Sequence, residues 1–163
     1  NYTTGVISGY EVHLLQRTHD IYTRAGDRLE RTWTICHTGL VRHTMPHLLI
    51  CSKSKRISDD QTLASYLRMY EIDLASFGSP IADDFADKFA IFLTPKDIPV
   101  ASRLLTPEFQ AMLSINFSSY DFELDGQDIY IYGYDQPLEL VKLDRQLRGL
   151  VWLAGTIQRT TLA

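Results

Sequence analysis

The spacing of apolar and polar positions divides the chain into a strand-rich first half and a mixed second half. Thr3 to Ile7 is a short β-run stopped by Ser8-Gly9. Tyr10 to Thr23 alternates through Tyr10, Val12 and Leu14, with Ile21 further on, before Ala25-Gly26-Asp27 supplies a turn. Leu29 to Leu40 is rich in Thr, Trp and Ile, and His47 to Ser52 follows Met45-Pro46. This pattern predicts a meander of long antiparallel strands, the last two forming one hairpin in which Ile35 faces Ile50. Residues 53–61 are polar and charged and read as a loop. Thr62 to Met69 then carries Leu63, Tyr66 and Leu67 at helical spacing, with Asp59 or Asp60 as a cap. Glu71 to Phe77 returns to alternation through Ile72 and Leu74, until Gly78-Ser79-Pro80 breaks it.

Further along, Asp83-Asp84 open a short turn with Phe85 and Phe89 on one face, and Ala90 to Leu93 reads as a buried strand. Pro95 to Leu105 and Pro107 to Ile115 each begin with a proline where a helix tolerates one, behind Thr94 and Thr106 in the cap position. Tyr120 to Leu124 and Gln127 to Tyr132 form a hairpin around Asp125-Gly126. Pro137 starts a long final helix. The expected fold class is therefore α+β: an antiparallel sheet from the N-terminal meander and the later hairpin, covered by helices over 95–115 and 137–158. Strands that come in runs, rather than alternating with helices, argue against a doubly wound parallel sheet.

The final helix carries Leu140, Leu143, Leu147, Leu150, Ala154 and Ile157 at heptad spacing. From Leu150 on, Val151, Trp152 and Leu153 make it apolar nearly all round, more than one packing face covers. Two destinations follow: the domain's own core, or contact with a second copy, a protein partner or a membrane surface.

At 163 residues, with 45% apolar and 22% charged positions, the chain reads as one α+β domain, 1–163, with a full core. A net charge of −4 argues against a nucleic-acid binder that works by neutralising phosphates. The charge is uneven: residues 1–70 hold nine Lys/Arg against six Asp/Glu, a net of +3, and residues 71–163 hold seven against fourteen, a net of −7. No run approaches the ~18 apolar residues that span a bilayer. The chain opens on NYTTGV, without Met or a signal-like segment, so it reads as an excised soluble portion of a larger protein or a processed product. In the expected hairpin Cys36 and Cys51 sit diagonally, about 7–8 Å apart, too far for an easy bridge. They are expected as free thiols in a reducing compartment.

Candidate chemistry is sparse. His13, His19, His37, His43 and His47, with Cys36, invite a zinc site, but a structural site wants two close ligand pairs and a hairpin separates His37 from His47. Strand histidines are the expected reading, with no metal. Asp121, Glu123, Asp125, Gly126 and Asp128 resemble the start of a calcium loop, yet its twelfth position is Tyr132 rather than a bidentate Glu. Asp83, Asp84 and Asp87 are available as paired carboxylates, although acidic residues in a first turn suit the helix dipole. Ser8, Ser79, Ser118 and Ser119 lie in no nucleophile elbow, and no phosphate-binding or dinucleotide fingerprint is present, so no cofactor is expected. Tyr130, Tyr132 and Tyr134 alternate along one strand beside Tyr120. Without interleaved Lys or Arg they read as a sheet surface under a helix rather than a base-stacking platform.

A strand-rich first half, Phe85 to Phe89, a short apolar strand, ASRLLTPEFQAML and a hairpin ending IYIYGY follow in order. Over about Gly5 to Tyr134 this resembles an uncharacterised bacterial family whose soluble domain follows transmembrane helices. The resemblance carries no catalytic residues. It implies a domain tethered at the membrane through flanking segments, on the cytoplasmic side. The expected function is a non-enzymatic interaction or regulatory domain of a membrane-associated bacterial protein. The alternative is a small hydrolase-like enzyme using Asp83, Asp84 or Asp87 with a histidine.

Overall fold

Left-handed turn residues set the hairpins. β1 (Tyr2–Ile7) and β2 (Tyr10–Tyr22) are joined by Ser8 and Gly9, with φ of 51° and 84°, the two positive values a type I′ turn requires. A computed structural model provides the coordinates and describes residues 1–22, 26, 28–40, 44–55, 69–134 and 139–160. β3 (Arg28–Gly39) completes the meander, followed by β4 (Met45–Ser52), β5 (Phe89–Leu93), β6 (Asp121–Gly126) and β7 (Asp128–Tyr134). They form one seven-stranded sheet in the order β1-β2-β3-β7-β6-β4-β5, antiparallel at every pairing. With its helices, this is the α+β architecture expected.

The expected β3–β4 hairpin does not form. β7 and β6 lie between those strands, so Ile35 sits opposite Leu15 and Tyr132, while Ile50 sits opposite Ile91 and Phe122. The reason lies in β4. From Leu48 to Ser52 every residue is buried, and a strand covered on both faces and both edges belongs in the sheet interior. Cys36 and Cys51 consequently lie on opposite faces, and neither is in a disulfide. Burial pushes the Cys36 thiol up to about 12, so it is an inert core group.

Other boundaries move for local reasons. The later hairpin turns at Gly126-Gln127, one residue beyond the expected place, with Gly126 at φ 60° and Asp125 opposite Asp128. Glu71 forms an isolated bridge to Phe92 rather than a strand. The expected alternation beyond it gives way to a 3₁₀ turn, Leu74–Ser76, because the Asp73 carboxylate accepts from the Ala75 N–H at 3.0 Å. Thr62 to Arg68 of the expected helix, its caps Asp59 and Asp60, and the Pro137 start of the final helix lie outside the described residues.

The helices α1 (Asp83–Lys88), α2 (Ile98–Leu104), α3 (Pro107–Asn116) and α4 (Leu140–Thr160) belong to one main core. Val12, Cys36, Leu48, Ile50, Ile91, Phe122 and Ile131 supply its sheet side. The expected helix from Pro95 begins instead as a 3₁₀ turn, Pro95–Asp97, and Thr94 makes no side-chain cap. Thr106 does cap α3, its Oγ1 accepting from Phe109 N–H at 3.3 Å.

α4 crosses β3 and β7. Its Gln146 amide, buried, donates from Nε2 to both Thr34 O and Ile131 O at 2.8 Å. Gly133 permits this approach, since a Cβ there would stand 3.3 Å from Gln146 Oε1. Leu150, Leu153, Ala154 and Ile157 are buried, and Trp152 stacks on Phe109 and Phe117 with centroids 5.3 and 6.2 Å away. The apolar half of the helix thus lies against its own chain, whereas Leu140 is 84% exposed.

Two glycines of α4 separate packing from propensity. A Cβ at Gly149 would meet Phe117 at 2.7 Å, and that ring is hemmed in by Tyr120, Phe122 and Trp152. Overpacking of this kind costs about 1–3 kcal/mol, outweighing the helix-propensity gain of about 1 kcal/mol. At Gly155 a Cβ would meet first the tip of Arg159, 3.4 Å away. Urea denaturation should show Gly149→Ala destabilised and Gly155→Ala neutral to about 1 kcal/mol more stable.

Candidate functional site

Period-two alternation puts a second set of side chains on the sheet face opposite the main core. β7 contributes Tyr130, Tyr132 and Tyr134, and β3 contributes Trp33, Ile35 and His37 in register with them. β6 adds Asp121 and Glu123, β4 adds His47, Leu49 and Cys51, and β5 adds Ala90 and Phe92. His13 and Leu15 extend the face onto β2, and Tyr2, Thr4 and Val6 onto β1.

Two carboxylates are buried here, Asp121 and Glu123, each 6% exposed. Burial of a carboxylate is tolerable only when hydrogen bonds replace its water, and both have them. Glu123 accepts from the Tyr132 hydroxyl and lies 2.7 Å from His47 Nε2. Asp121 accepts from the Tyr134 hydroxyl and from Ser52 N–H at 2.7 Å. Burial, reinforced by these anions, pushes the Tyr132 and Tyr134 phenols well above their ordinary range. They remain protonated donors at neutral pH.

Towards β1 the face opens. His37 stacks on Tyr130 with centroids 4.6 Å apart, lies 5.2 Å from the His13 ring and places Nε2 2.7 Å from Asp128 Oδ1. Tyr2 and His13 share a 2.6 Å hydrogen bond between hydroxyl and Nδ1. Trp33 sits edge-on to Tyr132 and Tyr134 at 6.1 and 5.2 Å. The result is a ladder of rings across four strands, partly exposed at the β1 end and buried towards β5.

The histidine–carboxylate pairs have the geometry that orients a catalytic imidazole. Nucleophilic catalysis further needs a hydroxyl or thiol in reach of that imidazole. Among the described residues no hydrogen bond joins a histidine to Ser, Thr or Cys. No group of three or more His, Cys, Asp or Glu among them stands together as metal ligands.

The tyrosine row is thus as the alternation implied. The residues packed with it come from strands, with Met69, and from no described helix. Tyr120 belongs to the opposite face, its ring near Phe117 and its hydroxyl 3.5 Å from Lys142 O. Asp83, Asp84 and Asp87 are exposed on α1, where Asp84 pairs with Lys88 at 2.8 Å. The described histidine side chains, His13, His37 and His47, find their partners on the other face; His43 and the side chain of His19 lie outside the described residues. The Tyr–carboxylate pairs escaped the sequence reading. Their signal was the hairpin register, which puts Glu123 opposite Tyr130 and Asp121 opposite Tyr132.

These features define an α+β protein with one face of its antiparallel sheet under helices and the other carrying an aromatic and acidic ladder. In fold the chain is similar to the crystal structure of the mycobacterial trehalose monomycolate transport factor A, TtfA. The TM-score is 0.61 at 10% identity, over 96% of this chain and 71% of that one. No protein-family model matches the chain, and no curated protein matches it.

The phenols set an alkaline limit. Below about pH 10, the ordinary tyrosine value, folded and unfolded chains both keep these protons, so their stabilising contribution is fully present. Above it the unfolded chain releases protons that Tyr132 and Tyr134 retain, and stability falls with rising pH. Denaturation midpoints should decline from about pH 10 upward, more steeply in wild type than in Tyr132→Phe. At neutral pH Tyr132→Phe should cost about 1–3 kcal/mol, because Glu123 loses a donor.

Proposed function

We propose that this chain is a non-enzymatic interaction or regulatory domain of a membrane-associated bacterial protein, held on the cytoplasmic side by flanking segments. The observation that carries this reading is the ladder face itself. Its buried acids are bonded to phenols that stay protonated, its described histidines are tied to carboxylates or a tyrosine, and its aromatic surface opens towards β1. Such a face is built to be rigid and to present rings, which suits contact better than proton transfer. The segment order that resembles a membrane-tethered bacterial family supports the membrane context. So does the fold shared with a protein named as a transport factor. No described helix is long and apolar enough to cross a membrane, so in this reading attachment comes from outside them.

The alternative reading, a small hydrolase-like enzyme, finds a cleft among the described residues. Asp84, Phe85, Gln110 and Ser114 line a cleft of about 290 Å³ between α1 and α3, and the Ser114 hydroxyl is buried without a hydrogen-bond partner. It would still need a histidine brought to the acidic cluster.

Two measurements test the choice. Fractionation of host cells producing the natural full-length protein should recover it with membranes; recovery in the soluble fraction would contradict the membrane-associated reading. Purified chain should hydrolyse p-nitrophenyl acetate and p-nitrophenyl phosphate no faster than its Asp84→Asn and Asp87→Asn variants. A turnover abolished by either substitution would establish the enzyme instead.

A further inference from the structure

The outer edge of β1 leaves hydrogen-bonding capacity open. Asn1 and Gln16 bond in both directions, Gln16 N–H to Asn1 O at 3.0 Å and Asn1 N to Gln16 O at 3.3 Å. In an antiparallel ladder such pairs alternate, so in the β1–β2 register Thr3, Gly5 and Ile7 also bond inward to β2. Tyr2, Thr4 and Val6 therefore turn their N–H and C=O groups away from the sheet. Tyr2 to Val6 are all exposed, Tyr2 at 64% and Val6 at 73%.

Proteins guard such an edge with Lys, Pro, inward charges or a bulge, because it is a template for another strand. β1 has no such guard: YTTGVI carries no charge and no proline, and its register with β2 runs without a slip. The opposite edge is treated differently. Glu71 bridges to Phe92, and Ile72 N–H donates to Ile91 O at 2.9 Å beside β5.

We propose that β1 pairs with β1 of a second copy of this chain, antiparallel about a two-fold axis through Thr4. This register sets Tyr2 against the partner's Val6, Thr4 against the partner's Thr4, and Val6 against the partner's Tyr2. The outward N–H and C=O groups of all three residues are then bonded, and no charge meets a like charge across the axis. Aromatic on β-branched and Thr on Thr are favourable cross-strand pairs, and the interface is isologous as a two-fold requires. Tyr2, Thr4 and Val6 all lie on the ladder face, so pairing joins the two faces into one surface through Leu15, 38% exposed. The proposal rests on the interaction-domain reading and names the partner as a second copy.

Sedimentation velocity on the full chain over the micromolar range tests it. Wild type should be a dimer. Thr4→Pro removes an outward donor without breaking the β2 ladder, and Thr4→Lys puts two like charges on the axis. Each should halve the mass and leave the far-UV circular dichroism unchanged, and Thr4→Lys keeps the test valid if proline disturbs the strand. Leu140→Glu, on the exposed start of α4, should remain dimeric. A monomeric wild type, or a dimer that survives both Thr4 substitutions, overturns the proposal. Membrane recovery of the full-length protein is measured separately, so its outcome judges the domain reading alone.

Discussion

The ladder between β3 and β7 is the constraint on which the rest of this structure depends. It pairs Trp33–Gly39 with Asp128–Tyr134, joining the N-terminal meander to the strands that close the core. Segments so far apart must meet against the entropy of a very long loop, and non-local pairing of this kind is slow to form and rewarded late. What rewards it lies on both faces. On one, Gln146 of α4 bonds a carbonyl from each strand and locks the helix across the joint. On the other, Trp33 packs on Tyr132 and Tyr134, and His37 stacks on Tyr130.

The two faces solve burial differently. The helix side is largely apolar, and of its buried polar side chains Gln146 spans the sheet joint and Gln110 ties the segment before α1 to α3. The Gln110 amide donates to Pro80 O and Leu105 O and accepts from Ala82 N–H. The ladder side keeps two carboxylates out of water and answers each with a phenol. Replacing the phenol alone leaves Glu123 with His47 and Asp121 with the Ser52 N–H, one partner fewer each, so the pairs constrain each other's chemistry. A face held this way is stiff at its buried end and available at its β1 end, which couples sheet architecture to the contact role proposed for it.

Much of the fold was legible because local patterns were strong. The period-two runs located β1, β2 and β3 within a residue or two, the Pro107 start and Thr106 cap located α3, and the apolar run marked β5. Strand order was not legible. Adjacency in sequence favoured a β3–β4 hairpin, whereas the burial demand of Leu48 to Ser52 is satisfied by strand neighbours that come 37 (Ser52–Phe89) to 76 (Leu48–Leu124) residues later in the chain. The ladder face was half legible. The tyrosine alternation gave its direction, but the partners of those tyrosines follow from register, and moving the two-residue turn by one position changes which tyrosine each carboxylate faces.

Native-state amide hydrogen exchange tests most directly whether the β3–β7 ladder organises the molecule. The amides of Trp33–Gly39 and Ile129–Gly133 that bond across it should exchange last, with those of Leu150 and Leu153 in α4, and only through global unfolding. If β1–β3 instead opens at a lower free energy while β4–β7 and α4 stay protected, the meander is an appendage and the ladder is not the joint on which the fold depends.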